Sequence, residues 1–315
     1  VDPTHPRHDP AELAEYGDPL LRYFKRIDDG LRQIIEQAGD DVTVMVMSDH
    51  GMGPVHRFIF PNSWLLEEGF LQLKGDLVTR AKALALRSGL DLVNVHRLAD
   101  SLNLSKDAEY KVMYTKDQLL KLAFLSFNNV DWNRSMAYSY GRGIGPIYIN
   151  LQGREPHGIV QPGQEYEAVR QEIAHKALDY RIPGTGEKLV GEILWPEEIY
   201  HGTHLDKAPD LILVPARETD HFYGLSDFGS AKLHVPAYRY SAVHRRNALM
   251  VLNGPRIQPG ATLSEASLED VAPTVFYAMD LSIPTAFEGR PLLEAFRPDH
   301  EGRDTRQTCL ERDDH

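Results

Sequence analysis

One cysteine, Cys309, stands among 315 residues. An intramolecular disulfide, a CxxC redox pair and a thiolate zinc cluster are thereby excluded. A transition-metal site must use histidine and carboxylate instead, and fourteen histidines are present. A single cysteine favours a reducing, cytoplasmic setting only weakly. Long apolar runs are missing as well. The densest, Val42–Met47, falls far short of the ~20 residues of a membrane span. Basic charge is scarce, with 34 Lys and Arg against 46 Asp and Glu and a net charge of -12. That argues against binding a nucleic-acid duplex through a basic surface. It leaves anionic substrates open, because bound cations can invert the local potential of an acidic protein. There is no GxxxxGK[ST] loop, no GxSxG elbow, no GxGxxG after a strand and no HExxH or HxxxH pair. Hydrophobic residues at 42% and charged residues at 25% exclude a wholly disordered chain, a collagen and a coiled coil.

What is present alternates helix and strand. The chain opens Val1-Asp2-Pro3-Thr4-His5-Pro6-Arg7-His8, with neither an initiator Met nor a charged and apolar leader, which points to processing or to a fragment. Leu20, Phe24, Ile27, Leu31 and Ile34 recur at helical steps behind an Asp18-Pro19 start signal, and Gly39 closes the helix. Val42–Met47 then reads as a strand buried on both faces, as in a parallel sheet. Residues 75–127 carry helical spacing (Leu77, Ala81, Leu84, then Leu90, Val95, Leu98) and are expected to form a helical insertion that shapes the substrate pocket. Ser135–Tyr140 and Pro146–Leu151 read as strands joined by the turn Gly141-Arg142-Gly143-Ile144-Gly145. Tyr166, Val169, Ile173 and Ala177 mark a helix. Leu189–Leu194, Asp210–Val214 and Ala248–Leu252 read as strands, and Leu268–Met279 as a helix with Asp270 in its first turn. The expected fold class is α/β. The expected division is a core segment over 1–74, the helical insertion or cap over 75–134, the rest of the core over 135–298, and a charged tail over 299–315.

The sharpest chemical feature is Asp49-His50, directly after the apolar strand and before Gly51-Met52-Gly53. In open α/β sheets, sites sit at the carboxyl ends of strands. A carboxylate beside an imidazole suits zinc, manganese or iron, and the glycines permit a tight backbone there. On residue types alone the pair reads first as a capping Asp beside a surface His; the apolar run before it and the glycines after it put the metal reading level with that one. His244, ahead of Ala248–Leu252, is unremarkable by itself. His56, His96, His157, His175, His221 and His234 show no ligand spacing. His201 and His204 are close enough to share a metal, but a solvated loop accounts for them as well. Asp210 is open to a catalytic or a turn-capping reading.

At Ser48-Asp49-His50-Gly51-Met52 the chain resembles the alkaline phosphatase superfamily, in its type I phosphodiesterase/nucleotide pyrophosphatase branch. The likeness recurs at Pro61-Asn62-Ser63-Trp64-Leu65-Leu66, at Asp131-Trp132, and at Tyr148-Ile149-Asn150-Leu151 through Gly158-Ile159-Val160. It continues at Ala208-Pro209-Asp210-Leu211, His244, Leu268-Glu269-Asp270-Val271-Ala272-Pro273-Thr274 and Glu288-Gly289-Arg290-Pro291-Leu292. No single piece is specific; their order along about the whole chain is.

The resemblance implies an alkaline-phosphatase-like sheet flanked by helices. It implies a site for two divalent metal ions, zinc first, with manganese or iron as alternatives. Asp49 and His50 would bind one ion and His244 the other. The substrate would be a small phosphoester, attacked by a Thr or Ser nucleophile. In the family that nucleophile and further ligands belong to an N-terminal half with no counterpart here, so it is expected upstream of Val1, and this chain alone is expected to be inactive. Asp2, His5 and His8 are read as non-ligands. A sulfatase, a phosphomutase of the same superfamily, or a non-catalytic binding module with a degenerate metal site are the alternatives.

Overall fold

The computed structural model describes residues 2–5, 8–102, 123–225, 228–238, 240–263, 265–298 and 306–307. Residues 103–122 of the expected insertion, Cys309, and all but two residues of the 299–315 tail lie outside them. The helices are α1 (Pro10–Ala38), α2 (Pro61–Glu67), α3 (Leu77–Arg87), α4 (Leu92–Ser101), α5 (Gln164–Asp179), α6 (Pro196–Ile199) and α7 (Val271–Ala278). The strands up to the middle of the chain are β1 (Val44–Met47), β2 (Gly51–Pro54), β3 (Arg57–Ile59), β4 (Ala137–Ser139), β5 (Gly141–Gly143) and β6 (Gly145–Ile149). Then come β7 (Val190–Leu194), β8 (Leu211–Pro215), β9 (Asp220–Gly224), β10 (His234–Pro236), β11 (Ala242–Arg245) and β12 (Met250–Asn253). The mixture is that of an α/β fold.

The chain divides into two compact units. One comprises residues 9–51 and 245–315, the other residues 2–8 and 52–244. The chain leaves the first unit within β2 and returns to it within β11.

In the larger unit, β4, β6, β8 and β7 form an antiparallel sheet in the order β4-β6-β8-β7. The inward residues Ile147, Ile149, Leu211 and Leu213 are fully or almost fully buried, and Ile173, Ala174 and Ala177 of α5 join the same core. That packing is why the Val169, Ile173, Ala177 spacing was a helix signal. A second sheet runs β10-β3-β9-β5, with β3 and β9 parallel. Its face carries a smaller core of Val55, Phe58, Phe60, Val93, Val235 and Ala237.

Polar side chains fasten these layers. Asn62 in α2 donates to the carbonyls of Ser139 and Leu225 and accepts the Ser139 N–H. Asn150 donates from one amide nitrogen to the carbonyls of Trp132, Ser135 and His157. Gly158 lies so close to the Leu151 carbonyl that a Cβ would fall on it. Gly158→Ala is therefore expected to lower stability by about 1–3 kcal/mol, read from the urea midpoint. A melt unchanged from wild type would show that this loop yields without cost.

In the smaller unit, α1 begins at Asp9-Pro10, not at Asp18-Pro19 as the sequence suggested. The Asp9 carboxylate accepts the Ala11 N–H at 2.8 Å, and Pro19 lies inside the helix. The earlier Asp-Pro gives the same start signal, and an internal proline forfeits one backbone bond without ending a helix of this length. Gly39 does close it, at φ 85°. The apolar side chains of Leu20, Phe24, Ile27, Leu31 and Ile34 exist as a stripe, but they are exposed. The core of this unit gathers Ile257, Tyr277, Ile283, Leu292, Ala295 and Phe296.

Two further expectations change. β1 is not a parallel strand buried on both faces. It pairs antiparallel with β12, Val44 opposite Asn253 and Met47 opposite Met250, and its residues are half-buried. A buried apolar run fixes hydrophobicity, not the direction of the neighbour. Gly141–Gly143 is likewise more than a turn. It forms β5, antiparallel to β9 with Gly141 opposite Gly224. In the described part of 75–127 two stretches are helical, α3 and α4, each opened by an aspartate: Asp76 accepts the Thr79 N–H and Asp91 the Asn94 N–H.

Candidate functional site

The Asp49-His50 pair sits in the bend between β1 and β2. The end of β1 is pinned there, because Ser48 N–H donates to the Leu249 carbonyl and Leu249 N–H donates to Ser48 Oγ. The chain then passes so close to the Asn247 carbonyl that a Cβ on residue 51 would collide with it. Glycine is thus required at the position after His50 by close approach, not by a left-handed φ.

Within this bend the two side chains meet. His50 Nε2 lies 3.6 Å from Asp49 Oδ1, and His50 Nδ1 lies 2.8 Å from the Gly51 carbonyl oxygen. A carbonyl only accepts, so Nδ1 carries the proton in that bond. A neutral ring then directs its Nε2 lone pair to the side where the carboxylate lies. Two ligands at ~2.1 Å from a tetrahedral zinc stand roughly 3.4 Å apart. The 3.6 Å spacing fits that donor set. The Asp49 side chain is 74% exposed and that of His50 36%, so an ion can reach both. A backbone carbonyl holding the second imidazole nitrogen is the usual way a protein orients a ligating histidine.

His244 is an exposed residue of β11. It is the last residue of the larger unit, whereas Asp49 and His50 belong to the smaller one. Within either unit the described residues contain no group of three or more His, Cys, Asp or Glu side chains able to hold a metal. His201 and His204 are exposed in a loop. Asp2 is engaged locally, accepting the Thr4 N–H and hydroxyl at 2.8 and 2.7 Å, and these bonds hold its carboxyl below the usual range. His5 Nε2 bonds the Val55 carbonyl at 2.9 Å.

Asp210 is a tie, not an exposed acid. It is buried just before β8, and its carboxylate takes two bonds from Arg154, at 2.8 and 2.6 Å. It also accepts the Ile149 N–H at 2.6 Å and the Tyr166 hydroxyl at 2.5 Å. Burial, then the bond to Asp210, push the Tyr166 phenol above its ordinary range. Arg170 reaches the Asp210 carbonyl at 3.2 Å and forks onto Glu197 at 2.8 and 2.9 Å. Every acceptor direction of Asp210 serves the join between β6, β8 and α5.

The model of the type I phosphodiesterase/nucleotide pyrophosphatase family matches residues 4–227. The chain belongs to that family. It is a family of phosphodiesterase- and pyrophosphatase-type hydrolases, consistent with the alkaline phosphatase superfamily. Comparison with curated proteins and with solved structures gives no match. The matched span includes Asp49, His50, Asn62, Asn150, Arg154 and Asp210. Among the described residues, no helix is long and apolar enough to cross a membrane.

Proposed function

We propose that this family member is a metal-dependent phosphoester hydrolase in which Asp49 and His50 hold one divalent ion and His244 serves a second. The observation that carries the reading is the convergence of Asp49 Oδ1 and His50 Nε2 at 3.6 Å, with Nδ1 held by the Gly51 carbonyl. Zinc is the first choice from the nitrogen and oxygen donors, with manganese or iron next. Bound ions would supply charge neutralisation on the phosphate and would lower the pKa of an attacking hydroxyl. The residues here contribute orientation. Ser48 fixes the strand end, Gly51 lets the backbone close up, and the Nδ1 bond sets the imidazole plane. In this reading the Thr or Ser nucleophile and the remaining ligands come from residues other than these 315.

Two measurements on the 315-residue polypeptide test this. After purification with added zinc or manganese, elemental analysis is expected to give at most one weakly held ion per chain. Hydrolysis of bis(p-nitrophenyl) phosphate is expected at background. Two tightly bound ions, or robust turnover abolished by His50→Ala, would overturn the placement of the nucleophile and the missing ligands outside this segment.

A further inference from the structure

The larger unit holds a cleft unrelated to the Asp49-His50 pair. It is lined by His56, Arg57, Arg217, His234 and Pro236, with a volume of about 300 Å³. That is the lower end of the range for ligand pockets. Four of the five lining side chains carry N–H donors, and no carboxylate is among them. Asp220 and Glu187 brace the arginines without lining the cleft. Asp220 is buried and takes Arg57 Nε and Nη2 at 2.9 and 2.6 Å, and Glu187 takes Arg57 Nη1 at 2.9 Å and Arg217 Nη1 at 3.2 Å. A guanidinium has five N–H groups, so Arg57 keeps two beyond these bonds.

Two polar atoms beside it are buried with no hydrogen-bond partner among the described residues: Nε2 of the lining residue His56, and Oγ1 of Thr219, which does not line the cleft. They belong to directly joined backbone, because His56 N–H donates to the Thr219 carbonyl at 2.7 Å. The His56 ring packs in a T-shape with the His5 ring, at 5.6 Å between centroids. A buried imidazole nitrogen left unpaired costs free energy unless something completes it. Two guanidinium groups on the same cleft repel a metal ion, and one proline offers little to an apolar guest. An acceptor of several hydrogen bonds with negative charge suits the donors present.

We propose that this cleft binds a tetrahedral oxyanion, the phosphate group of inorganic phosphate or of a phosphomonoester. Arg57, pinned by Asp220, presents its remaining N–H groups in a fixed plane. Arg217 adds the second guanidinium, and the unpartnered His56 Nε2 is the third donor assigned to the anion.

The test is isothermal titration of the EDTA-treated protein, first with inorganic phosphate and then with adenosine monophosphate. Saturable binding of one phosphate per chain is expected. Arg217→Ala and His56→Phe should each weaken it at least tenfold, whereas His50→Ala should leave it unchanged. Arg217 is half exposed, so its variant is expected to fold, and the phenyl ring of the second variant keeps the contact with His5. Equal affinity for both ligands would assign the site to the bare phosphate, and tighter nucleotide binding would assign it to the monoester. No saturable binding, or binding lost in His50→Ala but intact in Arg217→Ala, would overturn the proposal.

Discussion

Asp210→Ala is expected to destabilise the protein by about 3–5 kcal/mol, the usual result of removing one partner from a buried ion pair. The substitution removes both Asp210 bonds of Arg154, which keeps, among the described residues, only Glu155 and the Ile149 carbonyl. It also leaves the Ile149 N–H and the Tyr166 hydroxyl without the acceptor they share. A backbone N–H in a buried strand has no water to turn to, so its loss adds to that of the guanidinium. Tyr166→Phe removes a single bond and is expected to cost only about 1–1.5 kcal/mol. Urea unfolding of both variants at pH 7, followed by far-UV circular dichroism, gives the ratio. A loss below that of Tyr166→Phe would show that Glu155 and the Ile149 carbonyl suffice for Arg154 and that Asp210 is not the join it forms here.

If the Asp49-His50 pair holds the one weak ion proposed above, His50→Ala is expected to lower zinc affinity by at least about 10-fold. Even residues that merely support a metal ligand commonly cost 10–100-fold when removed, and His50 would contribute a coordinating nitrogen itself. The loss should appear in competition titrations of zinc against a chromophoric chelator. Asp49→Asn should fall between wild type and His50→Ala, because the amide keeps an oxygen donor and loses the charge. Stability should change little in either variant, since both side chains are solvent-accessible. If His50→Ala held zinc as firmly as wild type, the proposed pair would not be a metal site.

Much of the secondary structure was legible in the residues. The periodicity of Val169, Ile173 and Ala177 predicted α5, and the apolar run at Leu211–Leu213 predicted β8, because local patterns reflect which face is buried. Pairing was not legible. The antiparallel partner of β1 lies at Met250–Asn253, and nothing in Val44–Met47 itself names it. Gly141–Gly143 has no side chain beyond Arg142 to show a period, so β5 was read as a turn. The Asp-Pro signal occurs twice in α1, and only the backbone decides between the copies.

The candidate site divides in the same way. Asp49 and His50 are adjacent in sequence, so their juxtaposition could be read directly. The role of Asp210 rests on partners at Ile149, Arg154 and Tyr166, which no spacing rule connects to it. The cleft is assembled from His56, Arg57, Arg217 and His234, which arrive from distant parts of the chain. Several segments that carry the family likeness are structural joins. Asp270 accepts the N–H groups of Ser267 and Arg290, and Thr274 Oγ1 accepts that of Leu292. Two motifs far apart in sequence therefore belong to one hydrogen-bonded corner.

The route of the chain between its two units has a consequence during synthesis. Residues 52–244 form one uninterrupted stretch, whereas the smaller unit is built from residues on both sides of it. At about 5–20 residues per second, β1 leaves the ribosome some tens of seconds before β12 exists to pair with it. The larger unit can complete its own sheets in that interval. β1 must therefore wait, unpaired, until Met250–Asn253 arrives from the last quarter of the chain.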